Sequence, residues 1–170
     1  RPINGFTLVE LMVTLAILTL LLAIGVPSMQ GFLASRQAQA QADTFASALR
    51  YARSEALKRS QRVTMCLTTT PDSTTPTCNA AGTNWNTGWL IFVNFNGTNN
   101  PGPSNLLLKV QQSIAGSATI TGRNGTAPPV DLDFAADGLL TGVNNSSFEI
   151  TAHSNTTKSC VVLSRQGRIT

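Results

Sequence analysis

Residues 5–26 read GFTLVELMVTLAILTLLLAIGV, and this stretch decides how the rest of the chain is arranged. The sixteen residues from Leu11 to Val26 include no charged side chain, and the twenty-one residues from Phe6 onward include one. A tilted α-helix of about twenty residues crosses a bilayer core of roughly 30 Å. The sequence therefore predicts one membrane-spanning helix in this region.

The one charged residue of the run is Glu10. An ionised carboxylate inside a membrane helix costs on the order of 3 kcal/mol and is kept for a partner or a function. The nearest basic side chain, Arg1, lies beyond Gly5, which would break the helix. A new α-amino group, made by cleavage between Gly5 and Phe6, would supply the missing cation in the same chain or a neighbouring one. The alternative is an ordinary single-pass anchor whose Glu10 reaches the membrane interface.

The order Gly-Phe-Thr-Leu-Val-Glu before an apolar helix resembles the cleavage and assembly signature of type IV pilins and type II secretion pseudopilins. The resemblance implies that a prepilin peptidase cuts after Gly5 and that the new amine of Phe6 is methylated. It also implies that Glu10 pairs with the N-terminal amine of a subunit during filament assembly. Pro27 stands where pilin helices usually carry a kinking proline, so we expect a kink there.

The same resemblance divides the chain into three parts. Residues 1–5 are expected to be the end of a leader peptide, truncated because no initiator Met is present. Residues 6–29 are expected to form the transmembrane and filament-core helix, and residues 30–170 the globular head. We therefore expect a single-pass inner-membrane protein of a bacterium before assembly, and an extracellular pilus or periplasmic pseudopilus afterwards.

The helical pattern continues into the head. Beyond Gly31, small and apolar residues recur at alternating spacings of four and three, which predicts an amphipathic helix. These residues are Ala38, Ala42, Phe45, Leu49, Ala52 and Ala56. Glu55 and Arg59 are placed for an i,i+4 ion pair on its surface. A continuous helix from Phe6 to about Arg59 would be roughly 80 Å long.

Beyond Ser60 the pattern changes to short β-runs separated by turn residues. The predicted strands are Arg62 to Thr68, Trp89 to Phe95, Leu106 to Gln111, Ala118 to Thr121, Val130 to Phe134, Phe148 to Ala152 and Ser159 to Ser164. The loops at 69–88 and 96–105 are expected to be exposed and mobile. One long helix followed by strands predicts an α+β fold with a mainly antiparallel sheet, which is the type IV pilin fold that the resemblance implies.

Composition supports an exported domain. Only 12% of the residues are charged, and the three cysteines allow one disulfide and one leftover thiol. We predict a bond between Cys66 and Cys78, since twelve residues of loop separate them and the export signal implies an oxidising compartment. The alternative is that all three cysteines are reduced core residues.

Several motifs of the head are similar to the GspH/FimT group of minor pilins and pseudopilins. They are the Ala-Arg-Ser-Glu-Ala segment at 52–56, the Gly-Trp strand at 88–92, Phe134 with Gly138, and the final Gly167-Arg168. Many members of the group have an acidic residue where this chain has Asn94. DNA-uptake members end in Gly-Arg-x-Arg, whereas here Thr170 takes the place of the second Arg.

No catalytic constellation or cofactor-binding motif is found in the sequence. His153 has no nucleophile signature near it, and there is no Cys-x-x-Cys, so we predict no metal site and no cofactor. Asp131 and Asp133 alternate along one predicted strand and point to the same face. That face is interpreted as solvated, with cation binding or pairing to basic residues as the alternatives.

Basic residues are the candidates for binding a polyanion, in a chain whose net charge is +4. Arg165 and Arg168, joined by Lys158 and Arg123, would contact phosphates with salt-sensitive affinity. No aromatic stacking platform accompanies the terminal arginines, and Trp85 and Trp89 are assigned to packing. The terminal arginines would otherwise lie at solvated strand ends or pair with Asp131 and Asp133.

We therefore predict a structural minor pilin with no enzymatic activity. Its expected partners are other pilin subunits in a helical filament, prepilin peptidase, and the inner membrane before assembly. The alternatives are a DNA-binding minor pilin that acts in natural transformation, with double-stranded DNA as a partner, and a pseudopilin of a type II secretion system.

Overall fold

The computed structural model describes residues 6–98, 100–102, 104–114, 119–123, 127–143, 145–151 and 158–170, without the side chains of residues 26–28. Gly5 and His153, and with them the predicted leader at 1–5, lie outside the described residues. The predicted α+β fold is confirmed: one long helix packs on antiparallel β-structure.

The helix α1 spans Leu8–Arg59 and includes Pro27. Thr7 caps its start, because the Thr7 hydroxyl accepts a hydrogen bond from the Glu10 amide at 3.2 Å. Ser60 ends it in the left-handed conformation, with φ of 52°, while its amide still donates to the Ala56 carbonyl. The helix assignment is continuous through residue 27, so the kink at Pro27 stays a prediction.

The two halves of α1 have opposite surroundings. Large apolar side chains of the first half are exposed, as shown by Leu8 at 74% and Ile24 at 76%. The predicted stripe of the second half is confirmed, since all six of its residues, from Ala38 to Ala56, are buried in the head. The helix therefore carries the head on its second half only.

Within the described residues, eight strands follow α1, and they form two antiparallel sheets. The strands are β1 (Val63–Leu67), β2 (Trp89–Val93), β3 (Leu106–Gln111), β4 (Thr119–Gly122), β5 (Asp131–Phe134), β6 (Leu140–Thr141), β7 (Ser146–Thr151) and β8 (Lys158–Leu163). The first sheet has the order β3-β2-β1-β5-β6, and the second has the order β4-β7-β8.

All seven predicted strands are present, with described ends that differ from the prediction by at most two residues. The predicted ends Ala118 and Ala152 lie outside the described residues. The sequence did not predict β6, because its two residues are too few to show an alternating pattern. The division of the strands into two sheets was also not predicted. It depends on which strands pair, and strand patterns do not specify partners.

Four aromatic rings join the helix to both sheets. Phe45 of α1 packs edge-on against Trp85 at 5.4 Å, Trp89 at 5.4 Å and Phe148 at 4.8 Å between ring centroids. Trp89 belongs to β2 and Phe148 to β7, so this cluster holds the two sheets on one helix. The assignment of both tryptophans to packing is confirmed, because both are fully buried.

The loop between β1 and β2 covers the other face of the first sheet. The predicted disulfide is present: Cys66 of β1 is bonded to Cys78 of this loop, and Cys160 is free and exposed. The loop also buries Pro71 and Pro76, and the Thr68 hydroxyl donates to the Thr77 carbonyl at 2.7 Å. The expectation of an exposed loop at 69–88 therefore holds for most of its residues but not for the buried ones, which complete this face of the sheet, and its mobility stays a prediction.

Candidate functional site

The start of α1 presents Glu10 at the edge of an exposed apolar surface. Its carboxylate accepts from the Thr7 amide at 3.5 Å and completes a capping box. Because it lies in the first turn, the carboxylate also faces the positive end of the helix dipole. Glu10 is exposed and forms no ion pair within the described part of the chain. Phe6, whose amine is the predicted partner, is exposed beside it.

The apolar surface behind Glu10 is long enough to cross a membrane. The most apolar eighteen-residue window of α1 has a mean hydropathy of 2.5, and none of it is buried against the head. Leaving this apolar surface in contact with water would cost a free energy of about 25 cal/mol for each Å². Length and composition therefore suit this half of α1 to a lipid bilayer or to the apolar core of an assembly.

The other candidate region is the hairpin of residues 163–170. The Thr170 amide donates to the Val162 carbonyl at 3.0 Å, and the Val162 amide donates back at 2.8 Å. A tight turn connects the two sides, in which the Gly167 amide donates to the Ser164 carbonyl at 2.8 Å. This geometry exposes Arg165 and Arg168 on the turn.

Arg53 of α1 fixes this hairpin to the helix. Its Nε donates to the Gly138 carbonyl at 3.1 Å, and one terminal nitrogen donates to the Gln166 carbonyl at 3.0 Å. Gly167 is buried at the crossing point, where a Cβ would lie 2.4 Å from the Gly138 oxygen. Three motifs quoted from the sequence, at 52–56, 134–138 and 167–168, therefore meet at one guanidinium.

A shallow cleft opens between the helix and the hairpin, with a volume of about 370 Å³. Arg50, Arg53 and Arg168 line it together with Ser54, Leu57, Gly167 and Ile169. Two of these arginines, Arg50 and Arg168, are exposed, and the lining includes no carboxylate. The cleft can hold an anionic group against an apolar floor. We call it the arginine cleft.

The structure separates the four residues predicted to bind DNA. Arg123 follows β4 at the same end of the second sheet as the Arg165 turn, as the strand register requires. Lys158 begins β8 and lies at the opposite end of the sheet. Seven residues of extended chain, about 20 Å, separate it from Arg165. The Lys158 ammonium also pairs with the Glu149 carboxylate at 2.8 Å. The Lys158 hydrogen bond lowers the pKa of the Glu149 carboxyl, and the charge of Arg123 lowers it further, so Arg123 lies near this pair as well. Arg165 and Arg168 are therefore the two predicted residues that lie clear of Lys158.

Asp131 and Asp133 are half-buried, and for Asp133 the alternative of pairing with a basic residue applies rather than a solvated face. The Asp133 side chain is 16% exposed, and it accepts a short hydrogen bond from the buried Thr64 hydroxyl. Arg62 lies 4.0 Å from the same carboxylate. Burial raises the pKa of the Asp131 carboxyl, and the Asp133 carboxylate raises it further. Among the described residues, no group of three or more His, Cys, Asp or Glu could hold a metal ion.

Asn94 belongs to the same polar group. It is 4% exposed, and its amide donates to the Thr64 hydroxyl at 3.0 Å. Asn94 is thus the donor that completes a chain from Asn94 through Thr64 to Asp133. A second carboxylate at this position would face the Asp133 carboxylate across Thr64, so the amide avoids a like-charge contact.

The family model described as type II transport protein GspH matches residues 41–167, which cover the second half of α1 and nearly all of the head. The chain belongs to the GspH family. The model of the prokaryotic N-terminal methylation motif matches residues 1–26, which include Glu10 and the exposed apolar surface. This family and fold are those of structural pilin subunits and not of enzymes.

Solved structures give the same fold. Two crystal structures of the type IV minor pilin FimU from Pseudomonas aeruginosa strain PAO1 are each 21% identical to this GspH-family chain. One has a TM-score of 0.56 over 78% of this chain and 90% of that one, and the other has 0.58 over 82% and 90%. No curated protein matches the sequence. Membership of the pilin family implies assembly with other pilin subunits in filaments.

Sequence reasoning missed the roles of Arg50 and Arg53. Arg53 lay within a motif that was used only to identify the family, and no spacing rule connects it with Gly138 or Gln166, 85 and 113 residues away. Arg50 was not among the basic residues that the sequence singled out. The signal that could have found Arg53 is its place on the flank of the buried stripe, where a long side chain reaches across to the sheet.

Proposed function

We propose that this chain is a minor pilin of a type IV pilus, cut by prepilin peptidase after Gly5, methylated at Phe6 and incorporated into the filament. The observation that carries the proposal is the division of α1, whose first half contains an exposed apolar window of eighteen residues while its second half supports a folded head. Residues 6–29 would leave the inner membrane and enter the filament core. Residues 30–170 would remain outside it as the head.

Glu10 is the assembly residue of this proposal. Within the described residues it has hydrogen bonds from Thr7 and no cation, so its charge is available to a neighbouring amine. In a low-dielectric filament core, an amine beside this carboxylate would be strongly attracted to it. A processed Phe6 supplies that amine at the right end of the helix.

The experiment compares Gly5→Leu with Glu10→Ala in cells that assemble the filament. Gly5→Leu is expected to block cleavage, because the peptidase must approach the backbone at this position. Glu10→Ala is expected to be cleaved normally but to be lost from sheared filaments by at least about tenfold, a loss of roughly 1.4 kcal/mol. Mass spectrometry of the N-terminus and immunoblotting of the sheared fraction measure the two steps. Normal incorporation of Glu10→Ala would contradict the pairing.

Two alternative functions are each favoured by one observation. The description of the matched family as a type II transport protein favours a pseudopilin of a secretion system. The exposed Arg165 and Arg168, with Arg123 at the same sheet end, favour capture of double-stranded DNA. Sheared pili that contain the chain would support the pilus role, and its presence in a secretion pseudopilus alone would overturn it.

A further inference from the structure

Three arginines share the arginine cleft without an acidic partner. Arg50 is exposed on α1, and Arg168 is exposed on the hairpin of residues 163–170, on the other side of the cleft. Arg53 is half-buried, and two of its five N–H groups are used to bind backbone carbonyls. No ion pair within the described residues includes any of the three arginines. Like charges held close together attract an anion to the cleft.

Apolar side chains beside the arginines restrict the kind of anion that fits. Leu57 on α1 is 49% exposed, and Ile169 on the hairpin is half-buried. Leu139 is 43% exposed and follows Gly138, where a Cβ would lie 3.1 Å from the Leu57 side chain. A well-matched ligand therefore joins a negative charge to an apolar group, since the first is attracted by the guanidinium groups and the second covers the leucines.

The type of basic residue favours a protein as the source of that anion. The lining of the cleft includes three arginines and, among the described residues, no lysine. Arginine is enriched and lysine depleted in protein–protein interfaces, because the guanidinium is weakly hydrated and binds a carboxylate through two parallel hydrogen bonds. Interfaces with DNA are more polar and contact several phosphates at once. A cleft of about 370 Å³ with an apolar floor suits a single carboxylate and its apolar neighbour instead.

The hairpin holds Arg168 in place before any ligand binds. The Arg168 amide donates to the Ser164 hydroxyl at 3.1 Å, and its carbonyl accepts from the Ser164 amide at 3.0 Å. Arg53 connects the same hairpin to α1 through the Gln166 carbonyl. The backbone that carries Arg168 is therefore fixed relative to Arg50, and less conformational entropy is lost on binding.

We propose that the arginine cleft binds an Asp or Glu carboxylate of a different pilin, presented beside an apolar side chain. The carboxylate lies between Arg50 and Arg168, and the apolar side chain covers Leu57 and Leu139. The inference rests on the proposed function, because a filament brings the heads of neighbouring subunits against one another. A second copy of this chain is a poorer partner, since each copy has a net charge of +4 and a minor subunit is surrounded by other pilins.

The test is photo-cross-linking of the full-length chain in cells that assemble the filament. Photoreactive p-benzoylphenylalanine takes the place of Ser54 in one variant and of Leu57 in another, and both positions line the cleft. The linked peptide is identified by mass spectrometry in membranes and in sheared filaments. The expected product is a peptide of a different pilin with an Asp or Glu beside the linked residue. Links only to this chain or to DNA, or no link from either position, would overturn the proposal.

Charge reversal then tests the ion pair. Arg50→Glu and Arg168→Glu are each expected to reduce the cross-link at least about fivefold, because the carboxylate then meets a like charge. Replacing the partner's carboxylate residue by Lys is expected to restore the cross-link of the double variant to within about twofold of wild type. An unchanged cross-link in the double variant, or no restoration by the partner's Lys, would overturn the pairing.

The matched control is Arg36→Glu, which makes the same charge change at an exposed arginine about 21 Å earlier along α1. It is expected to leave the cross-link within about twofold of wild type, since the effect of a charge at that distance is screened by salt. A loss equal to that of Arg50→Glu would show a general effect of charge and overturn the assignment to the cleft. Circular dichroism of each full-length variant checks folding.

The proposed function and this inference can fail separately. If the chain is present in sheared filaments and the cleft forms no cross-link to another pilin, the inference fails and the proposed function stands. If the chain is absent from filaments, the proposed function fails, and the cross-link in membranes and its response to charge reversal still decide the inference.

Discussion

Gly167 shows how one residue position depends on contacts from three parts of the chain. Its φ is +73°, and the nearest atoms to an added Cβ would be the Gly138 oxygen at 2.4 Å and the Arg53 Nε at 2.7 Å. Both atoms belong to the hydrogen bond from Arg53 to the Gly138 carbonyl, and a second hydrogen bond from the same guanidinium, to the Gln166 carbonyl, fixes the hairpin of residues 163–170 to α1. A side chain here would strain the backbone and push the hairpin away from the helix at the same time.

We expect Gly167→Ala to lower the free energy of unfolding of the head by about 2 kcal/mol or more, because an L residue at positive φ costs roughly 1–2 kcal/mol before any clash is counted. Urea unfolding followed by circular dichroism measures the change. Gly102→Ala is the matched control, since nothing lies within 4 Å of a Cβ at that position. Equal stability of the two variants would contradict the role of Gly167.

At the scale of the element, the last turn of α1 is held by one acidic residue. Glu55 is 8% exposed, and its carboxylate accepts from the Arg59 Nε at 2.6 Å, which confirms the predicted i,i+4 pair. The hydrogen bond from Arg59 holds the pKa of the Glu55 carboxyl below its ordinary value of 4.5, against the opposing effect of burial. Lys58 lies 3.7 Å from the same carboxylate and lowers the pKa further.

Because this pKa is lower in the folded head, the ion pair stabilises the head above the ordinary value of 4.5 and loses its contribution as pH falls through the folded pKa. We expect Glu55→Gln to reduce the free energy of unfolding by about 0.5 kcal/mol at neutral pH and to make its decline below about pH 4.5 less steep. Urea unfolding at several pH values measures both effects. The control is Asp72→Asn, and a decline of equal steepness in wild type and Glu55→Gln would refute the assignment.

At the scale of the whole molecule, the distribution of charge matters more than the net value of +4. Lys158, at one end of the second sheet, pairs with Glu149, and the Arg165 turn lies at the other end. Arg123 follows β4 towards that turn, and its charge acts on Glu149 too, after the stronger effect of Lys158 in lowering the Glu149 pKa. Fewer basic residues are therefore available to bind DNA at the Arg165 turn than the four considered from the sequence. Thr170, at the end of the sequence given, is hydrogen-bonded to Val162 through its backbone amide and carbonyl.

We therefore expect the head, from about residue 30 onward, to bind duplex DNA weakly or not at all at physiological salt. If phosphate contacts form, the affinity for DNA will fall steeply between about 50 and 200 mM salt. The double substitution Arg165→Ala, Arg168→Ala will then reduce the salt dependence of the affinity by about one counterion for each lost contact. Fluorescence anisotropy with labelled duplex DNA measures this. Lys158→Ala serves as the control because it removes one positive charge at the other end of the sheet. Micromolar binding that the double substitution abolishes would place DNA capture ahead of the structural role.

The sequence by itself determined the elements. The apolar run, the buried stripe of α1 and seven of the eight strands followed from hydrophobic periodicity, which is a property of neighbouring residues. The disulfide was predicted because loop length and the export signal favoured one pair among three cysteines. Glu10 was found because a charge in an apolar run has no local explanation.

Only the tertiary structure decided how these elements meet. The partition into two sheets, the junction of Arg53 with Gly138 and Gln166, the arginine cleft and the pairing of Lys158 with Glu149 all depend on residues brought together by strand pairing and by the packing around Phe45. The half-buried state of Asp133 also depends on its neighbour strand, which places Thr64 beside it. Periodicity shows which face of an element is buried but not which element covers it, because that choice is made by the fit and the hydrogen bonds of side chains distant in sequence.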